Sequence, residues 1–148
     1  NSIESEFVGE PFFLHGPYSI FISRGATIGI NCILFQQVTI GSNFVIGSKT
    51  MGTPRLGNNV YIGAGAKVIG GVSVGNNVII GANATVVSDI PDNSVVVGSH
   101  SRVIGRECVD SRYFSKHERL GWAYYSDGTW ERGLSKEELF LLMNADPA

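Results

Sequence analysis

An aliphatic residue recurs at every sixth position through the middle of this 148-residue chain: Ile22, Ile28, Leu34, Ile40 and Ile46, then Leu56, Ile62, Val68, Val74, Ile80 and Val86. One interval departs from six, the ten residues from Ile46 to Leu56. Seven of these eleven residues are followed directly by glycine (Gly29, Gly41, Gly47, Gly57, Gly63, Gly75, Gly81), more than composition alone would give. Three places after the aliphatic residue stand Gly25, Asn31, Asn43, Asn59, Gly65, Gly71, Asn77 and Asn83. Glycine and asparagine tolerate positive φ best, so this position predicts a turn. Four places after it stand Ala26, Cys32, Val38, Phe44, Val60, Ala66, Val72, Val78, Ala84 and Ile90. Most of these are small or β-branched, as a second inward-facing site requires. A six-residue period fits neither a 3.6-residue helix nor a long alternating strand. It fits a short strand and a turn repeated around a prism. Three such units would close a coil of about 18 residues, and each coil would stack on the next as a β-solenoid.

Three segments fall outside the period. Residues 1–21 are irregular and aromatic (Phe7, Phe12, Phe13, Tyr18, Phe21) and are expected to cap the first coil. Residues 47–55 are expected to form a loop thrown out of the prism, within a repeat domain of residues 22–104. From Ser88 the period decays, and residues 105–148 form a C-terminal extension carrying Trp122, Tyr124, Tyr125 and Trp130. Its aromatic stretch could cover the cleft, bind the acceptor or seal the end of the prism, and sealing is the favoured reading. Ser135-Lys-Glu-Glu138 has the form of a capping box ahead of Leu139-Phe-Leu-Leu-Met143, which predicts a short helix near 136–144.

Charge and cysteine content narrow the function classes. The net charge of −2 leaves no basic footprint for nucleic acid. Charged residues make up only 16% of the chain, which suggests that some surface is buried between subunits. Two cysteines, Cys32 and Cys108, are too few for a disulfide framework, match no metal spacing, and fit a reducing cytoplasm. No apolar run is long enough for a membrane span, and no signal-peptide pattern is present. The chain opens at Asn1 rather than Met, which reads as a truncated N-terminus.

From about Leu14 to Ile104 the sequence resembles the acyltransferases built on a left-handed parallel β-helix of hexapeptide repeats. Cys32-Ile-Leu-Phe-Gln-Gln-Val-Thr-Ile-Gly41 and Ile62-Gly-Ala-Gly-Ala-Lys-Val-Ile-Gly70 are similar to the serine acetyltransferase branch and its polysaccharide O-acetyltransferase relatives. Ile90-Pro-Asp-Asn-Ser-Val-Val-Val-Gly98, followed by Ser101-Arg-Val-Ile104, is similar to the end of the repeat domain in many acetyltransferases. The resemblance implies a homotrimer with active sites in clefts between adjacent prisms, and acetyl-CoA as the acyl donor. By residue-wise matching it implies Ser42, Ala64 and Ala82 along the pantetheine arm, and Lys67 and Arg102 near its phosphates. It implies no metal.

Acetyl transfer from a thioester to a hydroxyl needs a base, then an acid for the departing thiolate, and a donor for the oxyanion. Histidine suits both proton roles near neutral pH. His117 lies in the polar Ser-Lys-His-Glu-Arg stretch and His100 in the turn ending the repeat domain, so both are expected at the surface. His15 precedes Gly16-Pro-Tyr-Ser-Ile-Phe-Ile22, a run similar to the one that follows the family's catalytic histidine. Without a gap Gly16 takes the histidine's place; counting Gly16 as an inserted residue brings His15 there, and loops tolerate such insertions. Glu10 is a nearby group that could orient it. Serine acetyltransferases carry an Arg-His pair before the proline of the external loop, where this chain has Gly52-Thr53-Pro54. That departure favours a sugar hydroxyl, in a polysaccharide precursor, over L-serine as acceptor. A non-catalytic repeat trimer is the alternative of another class. A zinc carbonic anhydrase on the same scaffold is excluded, because no histidine lies between Ile22 and Ile90.

Overall fold

A computed structural model describes residues 6–7, 11–13, 16–100, 102–109, 115–133, 135 and 137. Residues up to 111 form one compact unit and those from 112 a second.

The first unit is a three-faced parallel β-solenoid. Its first coil is β1 (Glu6–Phe7), β2 (Phe12–Phe13) and β3 (Phe21–Ile22), and its second is β4 (Thr27–Ile28), β5 (Ile33–Leu34) and β6 (Thr39–Gly41). The third coil is β7 (Arg55–Leu56), β8 (Val60–Ile62) and β9 (Lys67–Ile69), and the fourth is β10 (Ser73–Val74), β11 (Val78–Ile80) and β12 (Thr85–Val86). Ile90 bridges to Val74, and β13 (Ser94–Val97) follows; β14 (Arg102–Gly105) then folds back antiparallel on β13. Strands stack along the axis, so β1-β4-β7-β10 make the first face, β2-β5-β8-β11-β13 with β14 the second, and β3-β6-β9-β12 the third.

The aliphatic column of the sequence is the core. Ile28, Leu56, Val74 and Ile90 line the first face, Leu34, Ile62, Ile80 and Val96 the second, and Ile40, Val68 and Val86 the third, all buried. The second inward site is filled by Ala26, Cys32, Val38, Val60, Ala66, Val72, Val78 and Ala84, also buried. Each large buried aliphatic side chain contributes about 1.5–3 kcal/mol relative to exposure.

The turn position follows the residue types at six of its eight glycine and asparagine places; Asn43 and Gly71 are not at positive φ, which Gly70 takes in place of Gly71. Gly25, Asn31, Asn59, Gly65, Asn77 and Asn83 all have positive φ. The asparagines at the corner between first and second faces form a ladder up the axis. Asn31 Nδ2 donates to Asn59 Oδ1 at 2.9 Å, and Asn59 Nδ2 to Asn77 Oδ1 at 3.1 Å. The ladder pairs Asn59 at both ends of its amide, while Asn31 Oδ1, at the first rung, is buried without a partner among the described residues. Beside the ladder a glycine is forced: a Cβ on Gly57 would stand 2.7 Å from Asn76 Oδ1 and 2.8 Å from the backbone of Gly75.

Two parts of the chain depart from the sequence expectation. Ile46 falls in the six-residue column and Phe44 at the second inward site, yet Ile46 is 95% exposed and Phe44 77%. Strand register gives the reason. Thr27, Ile33 and Thr39 pair with Arg55, Tyr61 and Lys67, whereas those three pair with Ser73, Ile79 and Thr85 at the regular coil spacing. The extra residues all leave the prism between β6 and β7, so the external loop begins just after Gly41, and Arg55, expected at its end, is already in β7. Its base is closed by paired bonds: Asn43 N–H donates to Gly52 O at 2.9 Å and Gly52 N–H to Asn43 O at 2.8 Å. The N-terminal aromatic segment also does more than cap. Phe7 pairs with Ile28 and Phe13 with Leu34, so it builds a coil of its own.

The second unit contains a three-stranded antiparallel sheet of β15 (Ser115–His117), β16 (Gly121–Ser126) and β17 (Thr129–Arg132). Asp127 and Gly128, both at positive φ, make the two-residue turn between β16 and β17. Ala123 and Tyr125 are buried, and Tyr125 packs edge-on against Trp130 with ring centroids 5.6 Å apart. The helix expected near 136–144 lies outside the described residues apart from Glu137.

Candidate active site

The corner between second and third faces carries most of the residues that the sequence singles out. In successive coils it reads Phe35-Gln36-Gln37-Val38, Gly63-Ala64-Gly65-Ala66 and Gly81-Ala82-Asn83-Ala84. Ala64 and Ala82 occupy the same place one coil apart; Asn83 N–H donates to Ala64 O at 2.9 Å. The glycine before Ala64 is obligatory, since a Cβ on Gly63 would stand 2.7 Å from Ala82 N. Small side chains therefore leave the backbone of this corner open to close approach by an extended ligand.

Lys67 opens β9 just beyond the corner, exposed, with its Nζ donating to Gly65 O at 2.9 Å. Arg102 opens β14 opposite Val97, at the end of the second face nearest the same corner, and is exposed. Ser42 is not part of this group. It follows β6 at the opposite edge of the third face, partly exposed, next to the loop base at Asn43. The structure thus brings Ala64, Ala82, Lys67 and Arg102 to one edge and leaves Ser42 across the width of a strand.

His15 lies outside the described residues, but its neighbours Phe13 and Gly16 are described. Phe13 pairs with Leu34 and Ile22 with Ile40, so this corner spans three more residues in the first coil than in the second. Gly16 and Ser19 both take positive φ within it. With coils about 4.8 Å apart, the first-coil corner stands roughly 20 Å along the axis from β13 and β14.

One residue of the corner went unnoticed in the sequence. Gln36 holds the place of Ala64 and Ala82 one coil earlier, and its Oε1 is buried with no hydrogen-bond partner among the described residues. Its position in the repeat, where later coils carry alanine, was the available signal. Of the other histidines, His100 is exposed in the turn after β13, as expected. His117 lies in β15, and its side chain is outside the described set.

Cys32 is unsuited to covalent chemistry. Its Sγ is sealed in the core and donates to Gly57 O at 3.2 Å. Burial pushes the thiol from 9.0 up to about 11, partly offset by the backbone groups of Val60 and Gly29. A raised thiol pKa means that the fold favours the neutral form. Its contribution is intact below about pH 9 and is lost as pH rises through about 11. Denaturant midpoints are expected to fall over that window, and to fall less in Cys32→Ala. Among the described residues no cluster of histidine, cysteine or carboxylate side chains could hold a metal ion.

A family model for the bacterial transferase hexapeptide (six repeats) matches residues 53–88, the third and fourth coils with their shared corner. These residues carry hexapeptide repeats of the bacterial transferase type. The chain is 35% identical over 96 residues, 65% of its length, to the colanic acid biosynthesis acetyltransferase WcaB of Escherichia coli, covering 57% of that protein. It is 39% identical over 102 residues, 69% of the chain, to a serine acetyltransferase of Synechococcus elongatus, covering 41% of it. A serine acetyltransferase structure in complex with CoA matches 68% of this chain and 39% of its own length, with TM-score 0.59 and 28% identity. The hexapeptide solenoid is thus the left-handed parallel β-helix of these enzymes. The chain spans only about half the length of the curated relatives it matches.

Proposed function

We propose that the protein is an acetyl-CoA-dependent O-acetyltransferase that acetylates a hydroxyl of a sugar or polysaccharide precursor in the cytoplasm. The observation that carries this reading is the match of its coils to a serine acetyltransferase structure that holds CoA. The corner supports it independently. Acetyl-CoA would lie along the edge marked by Ala64 and Ala82, with Lys67 and Arg102 toward its phosphates; Ser42, across the third face from that edge, is left out of the donor site. His15 would take the acceptor's hydroxyl proton as the oxygen attacks the thioester carbonyl, then return it to the departing thiolate in a ternary complex. The longer first-coil corner supports the one-residue shift that this role requires. Backbone N–H groups of the glycine-rich turns are the natural oxyanion donors. Sites in clefts between adjacent prisms of a homotrimer fit the low charge content of the chain.

The external loop favours a sugar hydroxyl as acceptor. Its closing residues Gly52, Thr53 and Pro54 carry no cation to meet an amino acid's carboxylate, and Thr53 Oγ1 is engaged with Gly25 O at 2.9 Å. L-serine is the second reading, favoured by the 39% identity to a serine acetyltransferase. Thiol release from acetyl-CoA, measured with a panel of sugar acceptors and with L-serine, separates the two. Release is expected with a sugar, and release with L-serine alone would reverse the assignment.

A further inference from the structure

Gln36 holds the corner position that the next two coils fill with Ala64 and Ala82. Its Oε1 is buried with no hydrogen-bond partner among the described residues. A sealed, unpaired carbonyl is a cost to the folded state that an apolar side chain of similar shape avoids. The residue as a whole is partly exposed, so Nε2 is the end of the amide turned toward the surface of the corner. Its backbone is fixed by the next coil, where Gly65 N–H donates to Gln36 O at 3.0 Å. A second cost lies one residue on. Gln37 makes the turn at φ 62°, where the next two coils use Gly65 and Asn83, residue types better suited to that conformation. An unpaired polar group and a strained turn collected at one place on a regular fold point to a functional position.

Place along the axis narrows that function. The corner runs from the first coil, whose segment includes residue 15, through Gln36 in the second coil to Ala64 and Ala82 in the third and fourth. Coils stand about 4.8 Å apart. Gln36 therefore lies one step from the corner of the proposed base and one step from the edge proposed for the donor. An acetyl-CoA whose arm follows Ala82 and Ala64 must carry its thioester past Gln36 to meet an acceptor activated in the first-coil corner. The other amide side chains of this corner are less well placed. Gln37 is exposed beyond the turn, and Asn83 lies two coils further along the donor edge.

We propose that Gln36 Nε2 donates a hydrogen bond to the carbonyl oxygen of the bound thioester, a bond that strengthens as this oxygen takes up negative charge. The inference rests on the acetyltransferase reading above and adds a side-chain donor to the backbone ones. As the acceptor oxygen bonds to the carbonyl carbon, one C=O electron pair moves onto the carbonyl oxygen. Collapse restores C=O and breaks C–S, and the sulfur leaves with the proton taken from the acceptor. Gln36 stays neutral throughout and gives up no atom. Gln36→Leu keeps the bulk without the donor, and Gln36→Ala installs a residue type the corner already accepts in two coils. Either should lower kcat for thiol release about 10² to 10³-fold, while calorimetric affinity for acetyl-CoA changes by less than about tenfold. The infrared carbonyl stretch of bound acetyl-CoA, labelled with heavy carbon at the acyl carbonyl, needs no acceptor. It should lie lower in the unaltered protein than in either variant, because the hydrogen bond weakens C=O. The urea midpoint of Gln36→Leu should not fall. A stretch unchanged by both variants, or undiminished turnover of an acceptor that the unaltered protein uses, would overturn the role of Gln36 and leave the acetyltransferase reading standing. A lowered urea midpoint for Gln36→Leu would assign the amide to the fold instead. Failure of the unaltered protein to bind acetyl-CoA would overturn that reading, and this inference with it.

Discussion

Replacing His15 with alanine is expected to lower acetyl transfer by about 10² to 10⁴-fold while leaving acetyl-CoA binding nearly unchanged. The size follows from what a positioned general base contributes. The split follows from geometry. The edge that would hold the donor is built from Ala64, Ala82, Lys67 and Arg102 on later coils, none of which changes in the variant. Neither other histidine is a natural substitute: His100 is exposed beyond β13, and His117 belongs to the second unit. Turnover followed by thiol release and donor binding followed by calorimetry give the two readouts. Undiminished turnover in the variant would remove His15 from the mechanism.

Ile62→Ala is expected to destabilise the fold by about 2–5 kcal/mol, whereas Ile46→Ala should change stability by less than about 0.5 kcal/mol. Ile62 is fully buried between Leu34 and Ile80 in the inward column of the second face. Truncating it removes apolar contacts and leaves a cavity that neighbouring coils cannot close without shifting their own strands. Ile46 makes no comparable packing, being 95% exposed. Urea unfolding of the two variants measures both values. Similar costs for the two would mean that the chain continues around the prism at Ile46 and that the coil register is wrong.

That pair also marks how far the sequence could be read. Periodicity identified the solenoid, its inward columns and its left-handed turns because each repeats the same local requirement: an aliphatic side chain inside, and a residue tolerant of positive φ three places later. It could not fix where the loop leaves. Ile46 sits six residues after Ile40, so local pattern gives it the same status as Ile62; only pairing with the following coil shows that the chain has already departed. The first coil was hidden for a related reason. Its corner takes nine residues from Phe13 to Ile22 where the next takes six, and its strands use phenylalanine rather than aliphatics.

The β16–β17 hairpin was legible in principle. Asp127-Gly128 between Tyr124-Tyr125-Ser126 and Thr129-Trp130-Glu131 is a strong two-residue turn signal. At the candidate site, small residues at the corner were visible as motif matches. That Ala64 and Ala82 share an edge with Lys67 and Arg102 while Ser42 does not is a consequence of stacking, which no single hexad contains.

Calorimetric titration with acetyl-CoA tests the central claim most directly, because it needs no knowledge of the acceptor. Saturable binding at micromolar strength is expected, near one per subunit, weakened when Ala82→Trp fills the corner. Absence of binding up to millimolar acetyl-CoA would contradict it and leave a hexapeptide-repeat scaffold without transferase chemistry.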